Sequence, residues 1–122
     1  MVKNVLGGIL QTCCASPVTG FYRDGKCNTG PDDVGKHTVC VIATEEFLMH
    51  QAFIGNDLMT ARPQWGFPGL KPGDGWCVCV ERWKESYEAG VVGPVRLEAT
   101  HENALQDVTM DMLLAAAWTP MT

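Results

Sequence analysis

The sequence predicts an α+β fold: a small sheet of about three strands, packed by helices into a two-layer sandwich, with two long ordered loops. Two observations carry the sheet and helices. The short β-branched run HTVCVIA, His37–Ala43, and the alternating run WCVCV, Trp76–Val80, are each followed at once by a helical pattern. A third observation carries the loops. Thr19–Cys40 and Gly55–Gly75 are crowded with glycine, proline and polar residues, yet each holds apolar anchors.

His37–Ala43 reads as a buried strand. Thr44 then offers an N-cap, and Glu45 and Glu46 place negative charge in the first turn of a helix to about Ile54, stopped by Gly55-Asn56. In Trp76–Val80 a period of two puts Trp76, Val78 and Val80 on one face and Cys77 and Cys79 on the other. Glu81 to Ala89 reads as a helix with Trp83 and Tyr87 at i,i+4 and Gly90 as its C′ residue. Pro94 opens an expected third strand, VRLEA. Thr100 is placed to cap a short helix to about Gln106, and Thr109 a last one closed by Pro120. The order β-α-β-α-β-α-α fits one domain over 1–122, since 122 residues suit a single core.

Composition narrows the function. Net charge is −5 and no lysine or arginine cluster occurs, so nucleic acid and anionic membrane surfaces are not expected partners. No apolar run approaches the roughly 20 residues of a membrane span. The segment Val5–Leu10 is shorter than a signal-peptide core of roughly 7–15 residues. Six cysteines fall below the roughly 8–10% of a disulfide scaffold. A cytoplasmic protein with reduced thiols is therefore expected. Oligomeric state has no signature in the chain.

The first loop is the candidate site. It holds four glycines, three aspartates, two cysteines and a histidine without apolar periodicity, a mixture that neither a helix nor a strand requires. Cys27 sits in its polar part, with His37 as a candidate base and Asp33 as the group orienting the imidazole. The plainer alternative has Asp32 and Asp33 accepting turn amides, His37 bonding a loop carbonyl and Cys27 filling a gap. Arg23, Arg62, Trp65 and His101 are candidate contacts for a small carboxylate or phosphate ligand. Trp65 and Phe67 are expected to be mostly buried, because two aromatics on a mobile loop would leave an apolar patch. His37, Cys40, Cys77, Cys79 and Cys27 carry zinc-type donors, but C-x-C on a strand separates Cα atoms by about 6.7 Å and no C-x2-C pair exists, so no metal is expected. No cofactor is expected. Neither G-x-x-x-x-G-K-S/T nor G-x-G-x-x-G occurs, so those nucleotide-binding devices are excluded.

The blocks TGFYRDGKCNTGPDDVGKHTVC, GNDL, FPGLKPGDGWCVC, RWKESYEAGV and LEATHENAL, in that order, resemble the successive signatures of the family catalogued as domain of unknown function 2237. The similarity runs from about Asn4 to Leu114. The resemblance implies a small, mainly bacterial protein with a two-layer α+β fold, and it implies no activity. Gly75 departs from the family's more usual arginine, Cys13-Cys14 from a proline-cysteine pair, and Ala61 from a proline.

Overall fold

β1 (Val39–Ile42) and β2 (Gly75–Val78) pair antiparallel in the computed structural model, which describes residues 1–119. The register sets Val39 opposite Val78, Cys40 opposite Cys77 and Val41 opposite Trp76. Because side chains alternate along a strand, the ribbon has two faces of different chemistry. Val39, Val41, Trp76 and Val78 join the main apolar core, whereas Cys40 and Cys77 join a separate buried cluster with Cys13, Cys27 and Ala99.

α1 (Glu45–Phe53) starts where Thr44 was expected to cap it: Thr44 Oγ1 accepts the Phe47 N–H at 3.1 Å. It buries Phe47, Leu48 and Gln51. The fully buried Gln51 amide donates to the Arg82 carbonyl (2.8 Å) and Ser86 Oγ (2.7 Å) and accepts from Asn56 (2.8 Å), tying α1 to α2 (Val80–Glu88) and to the second loop. With those groups satisfied, the buried amide carries no desolvation penalty for orphaned polar atoms. From α2, Trp83 lies tilted against Tyr87 with ring centroids 5.3 Å apart and donates its indole N–H to the Gly93 carbonyl at 2.9 Å. Gly93 has to be glycine here, since a Cβ would lie 2.7 Å from both Phe47 Cδ1 and Val41 Cγ2.

Among the described residues the sheet has two strands, not three. The expected third strand reduces to Val95, which makes single bridges to Val41 and Ala117 before Leu97–Ala99 turns into a 3-10 helix. Local bonds end the ladder: Thr100 Oγ1 and the Ala99 N–H both donate to the Arg96 carbonyl (2.9 and 3.1 Å). β2 is also shorter than expected. It ends at Val78, Cys79 is the N-cap residue of α2, and the Val80 N–H donates to the Lys36 carbonyl at 3.1 Å. The 3-10 helix Glu102–Gln106 is capped by His101 rather than Thr100. α3 (Met110–Ala115) has Thr109 as its cap, its hydroxyl accepting the Met112 N–H at 3.2 Å. The expected stop at Pro120 lies outside the described residues. None of the described helices is long and apolar enough to cross a membrane.

The cysteines overturn the expectation of six reduced thiols. Disulfides join Cys13 to Cys40 and Cys27 to Cys77, with Cα separations of 5.7 and 5.1 Å, and Cys14 and Cys79 remain free. Spacing along the chain could not show this pairing. Cys40 and Cys77 become neighbours only through strand register, and their partners arrive from the N-terminal segment.

Candidate functional site

A cavity of about 580 Å³ opens between the two long loops, with β2 and the start of α2 as its floor. Gly20, Phe21, Arg23 and His37 come from the first loop, and Asp57, Leu58, Arg62, Trp65 and Phe67 from the second. Trp76, Val78 and Cys79 line the floor. The volume falls within the roughly 300–1,000 Å³ of small-molecule pockets.

Turns fold the first loop back so that Asp33 and His37 meet. Asp33 N–H donates to the Gly30 carbonyl (3.0 Å) and Lys36 N–H to the Asp33 carbonyl (3.1 Å), and Lys36 adopts φ 51°. The Asp33 side chain is fully buried. Its Oδ2 accepts from Thr29 Oγ1 and from the His37 N–H, both at 2.9 Å, and its Oδ1 lies 2.6 Å from His37 Nδ1. Burial alone raises the Asp33 pKa, but the hydrogen bonds from the His37 ring, the His37 backbone and Thr29 outweigh it and hold the carboxyl below its ordinary value. An ionised Asp33 only accepts, so His37 Nδ1 carries the proton and Nε2 is the ring's free nitrogen. Phe21 stacks on the imidazole at 6.2 Å between centroids. Beneath the ring Gly35 leaves room: a Cβ there would stand 2.7 Å from His37 Cε1.

Both arginines lie against indoles. The Arg23 guanidinium is 5.2 Å from the Trp76 ring centroid and donates to the Gly20 carbonyl at 2.7 Å, while that of Arg62 is 6.0 Å from the Trp65 centroid. Arg23 holds φ 56°, a left-handed conformation uncommon outside glycine. Trp65 corrects its expected burial. It ends the 3-10 helix Pro63–Trp65 at the cavity's edge and is 68% exposed. Phe67 is half-buried, tilted against Trp76 at 5.1 Å.

The family model described as "Uncharacterized protein conserved in bacteria (DUF2237)" matches residues 3–117. The chain belongs to that family. No curated protein matches it. In this DUF2237 chain the blocks that carry the resemblance also build the cavity: Arg23 and His37 lie in the first, Asp57 and Leu58 in GNDL, and Trp76 and Cys79 in the block ending WCVC.

Two candidates change place. Cys27 is not a free nucleophile: its sulfur is bonded to Cys77, and the residue has no solvent exposure. The thiol that shares the cavity with His37 is Cys79, partly exposed at the N-cap of α2. Sequence reasoning missed it by running β2 through Val80. The signal was present in the switch from alternating WCV to the helical VERW. His101 does not line the cavity. It is 6% exposed, and its Nδ1 accepts the Asn103 N–H at 3.0 Å. Of the zinc-type donors, Cys27, Cys40 and Cys77 gather in the buried cluster behind the ribbon, whereas His37 and Cys79 line the cavity.

Burial pushes the His101 pKa below its ordinary 6.5, with Glu102 opposing. A histidine with a depressed folded pKa contributes stability that is fully present above the unfolded value. That contribution is lost as pH falls below about 6.5 toward the folded value, because the unfolded chain then binds the extra proton. His101→Asn keeps a cap acceptor without titrating. Its urea midpoint is expected to vary less between pH 7 and pH 5 than that of the wild type. Equal variation in both proteins would exclude His101 as the source.

Proposed function

We propose that this chain binds a small anionic organic molecule in the cavity between loops 19–37 and 55–75. Cys79, His37 and Asp33 would act on it as a thiol, a base and the group orienting the base. The observation that carries this reading is the convergence in one cavity of Arg23, Arg62, Trp65, Cys79 and an imidazole held by a buried carboxylate. Each arginine, already laid on an indole, offers a planar donor fork suited to a carboxylate or phosphate. His37 Nε2 is available to take a proton from the ligand or from Cys79, and Asp33 would stabilise the resulting imidazolium. A second reading has its own support. Asp33 uses both oxygens on partners from its own loop, as a bracing residue in a non-catalytic interaction module would. The two bridges weigh toward an oxidising compartment and against the cytoplasmic location expected from the sequence.

Two measurements separate the readings. Small carboxylates and phosphates, screened by thermal shift, should stabilise the wild type, and any hit should weaken by roughly tenfold in Arg62→Ala, the loss of one charge-assisted hydrogen bond. A brief iodoacetamide pulse at neutral pH, mapped by mass spectrometry, should label Cys79 and Cys14 and spare the bridged four. His37→Ala should slow labelling at Cys79 but not at Cys14. Equal rates at Cys79 with and without His37 would leave the bracing role alone standing.

A further inference from the structure

Cys40 and Cys77 stand directly opposite one another across the ribbon. The Cys40 N–H donates to Thr100 Oγ1 at 3.2 Å and the Cys77 N–H to Thr19 Oγ1 at 2.8 Å, so the pair exchanges no ladder bonds. Such non-hydrogen-bonded pairs bring Cα atoms to about 4.5 Å and side chains to their closest approach. Cys13 and Cys27 come up from the N-terminal segment. The sulfurs of Cys13, Cys27 and Cys77 all lie within 4.8 Å of one another, and Cys40 is bonded to Cys13. Two independent bridges need only two sulfurs at each place. Here a third sulfur stands within reach of both members of the neighbouring bridge, so the four form one cluster.

We propose that, once its bridges are reduced, the cluster of Cys13, Cys27, Cys40 and Cys77 is a tetrathiolate site for a zinc-class divalent cation, which replaces the disulfides as the staple behind the ribbon. Each bridge takes two electrons and two protons from a dithiol reductant, which is itself oxidised to its disulfide. The cation then forms four metal–sulfur bonds and displaces four protons, leaving a centre of net charge −2. With zinc–sulfur bonds of about 2.3 Å, a tetrahedron needs sulfurs about 3.8 Å apart. Cys13, Cys27 and Cys77 already lie within 4.8 Å of one another, and Cys40, freed from Cys13, would join them as the fourth ligand by side-chain rotation. The all-sulfur donor set suits zinc over magnesium or calcium, which take oxygen ligands. Arg96, ion-paired with Glu98 at 3.0 Å, donates to the carbonyls of Thr12 (3.1 Å) and Cys13 (3.3 Å) and so fixes the backbone that carries Cys13.

The test uses the full chain, unfolded and reduced with dithiothreitol, then freed of reductant and refolded anaerobically with cobalt(II). One cobalt per chain, with thiolate-to-metal charge transfer and tetrahedral ligand-field absorption displaced by zinc, is expected. The absorption should vanish in Cys27→Ala/Cys77→Ala and persist in Cys14→Ala/Cys79→Ala. Absence of the charge-transfer band in the wild type overturns the assignment. So does its survival in the first variant or its loss in the second. A further measurement does not depend on either variant folding: reduced wild type should regain its native circular dichroism with zinc and fail to do so with a chelator. Equal recovery in both would also overturn it.

Discussion

Removing the Cys27–Cys77 bridge as Cys27→Ala/Cys77→Ala is expected to lower the stability of the oxidised protein by about 4 kcal/mol. The two residues are 50 positions apart, and closing a loop of that length takes about this much conformational entropy from the unfolded chain. Cys13–Cys40 spans 27 positions and is expected to contribute about 3.5 kcal/mol by the same reasoning. Cys27 lies inside that loop, so the two effects are coupled and should not add. Urea titration at fixed pH, oxidised wild type against the variant, measures the effect. An unchanged midpoint would mean that the bridge does not form in the folded protein. All four sulfurs belong to residues with at most 5% exposure, so reductant added to the native protein should act slowly and faster in urea.

Trp83→Ala is expected to be comparably severe. Trp83 is the largest fully buried side chain, and truncating a core tryptophan costs about 3–5 kcal/mol. The change also leaves the Gly93 carbonyl without the indole donor. Trp83→Phe separates the two losses: it keeps most of the packed volume, forfeits the hydrogen bond, and should cost about 1–3 kcal/mol. Unfolding midpoints of the two variants that coincide would show that the hydrogen bond, not the packing, dominates. Against a typical total of about 5–15 kcal/mol, Trp83→Ala would bring the chain close to unfolding at physiological temperature.

What could be read from the residues was what local chemistry decides. Thr44 and Thr109 cap the helices assigned to them because a hydroxyl before a helical pattern has a nearby backbone partner whatever the rest of the chain does. The pairing of Asp33 with His37 was also legible, being four residues apart in a loop dense with turn formers. Arg23, Arg62, Trp65 and His37 line one cavity between the two irregular loops, and His101, grouped with them in the sequence, does not. Features that depend on distant segments were not legible. Val95 lost its strand because Thr100 and Ala99 closed a turn on Arg96. Cys27 was taken for a loop thiol because its partner is 50 residues away. Trp65 looked buried because hydropathy does not distinguish a core ring from one standing at the edge of a cavity.

The cavity has two unlike jaws. The first, residues 19–37, is bonded covalently to the floor where Cys27 meets Cys77, and its chain leads into Cys40, bonded to Cys13. The second, residues 55–75, has no covalent tie between its ends and is held by backbone bonds such as Leu70 N–H to Leu58 O and Gly73 N–H to Ala43 O, both 2.8 Å. One side is welded by a bridge and the other is not. On the proposed function, Arg23 and the His37 ring held by Asp33 would meet the guest from the welded side, and Arg62 and Trp65 from the side that no bridge fixes.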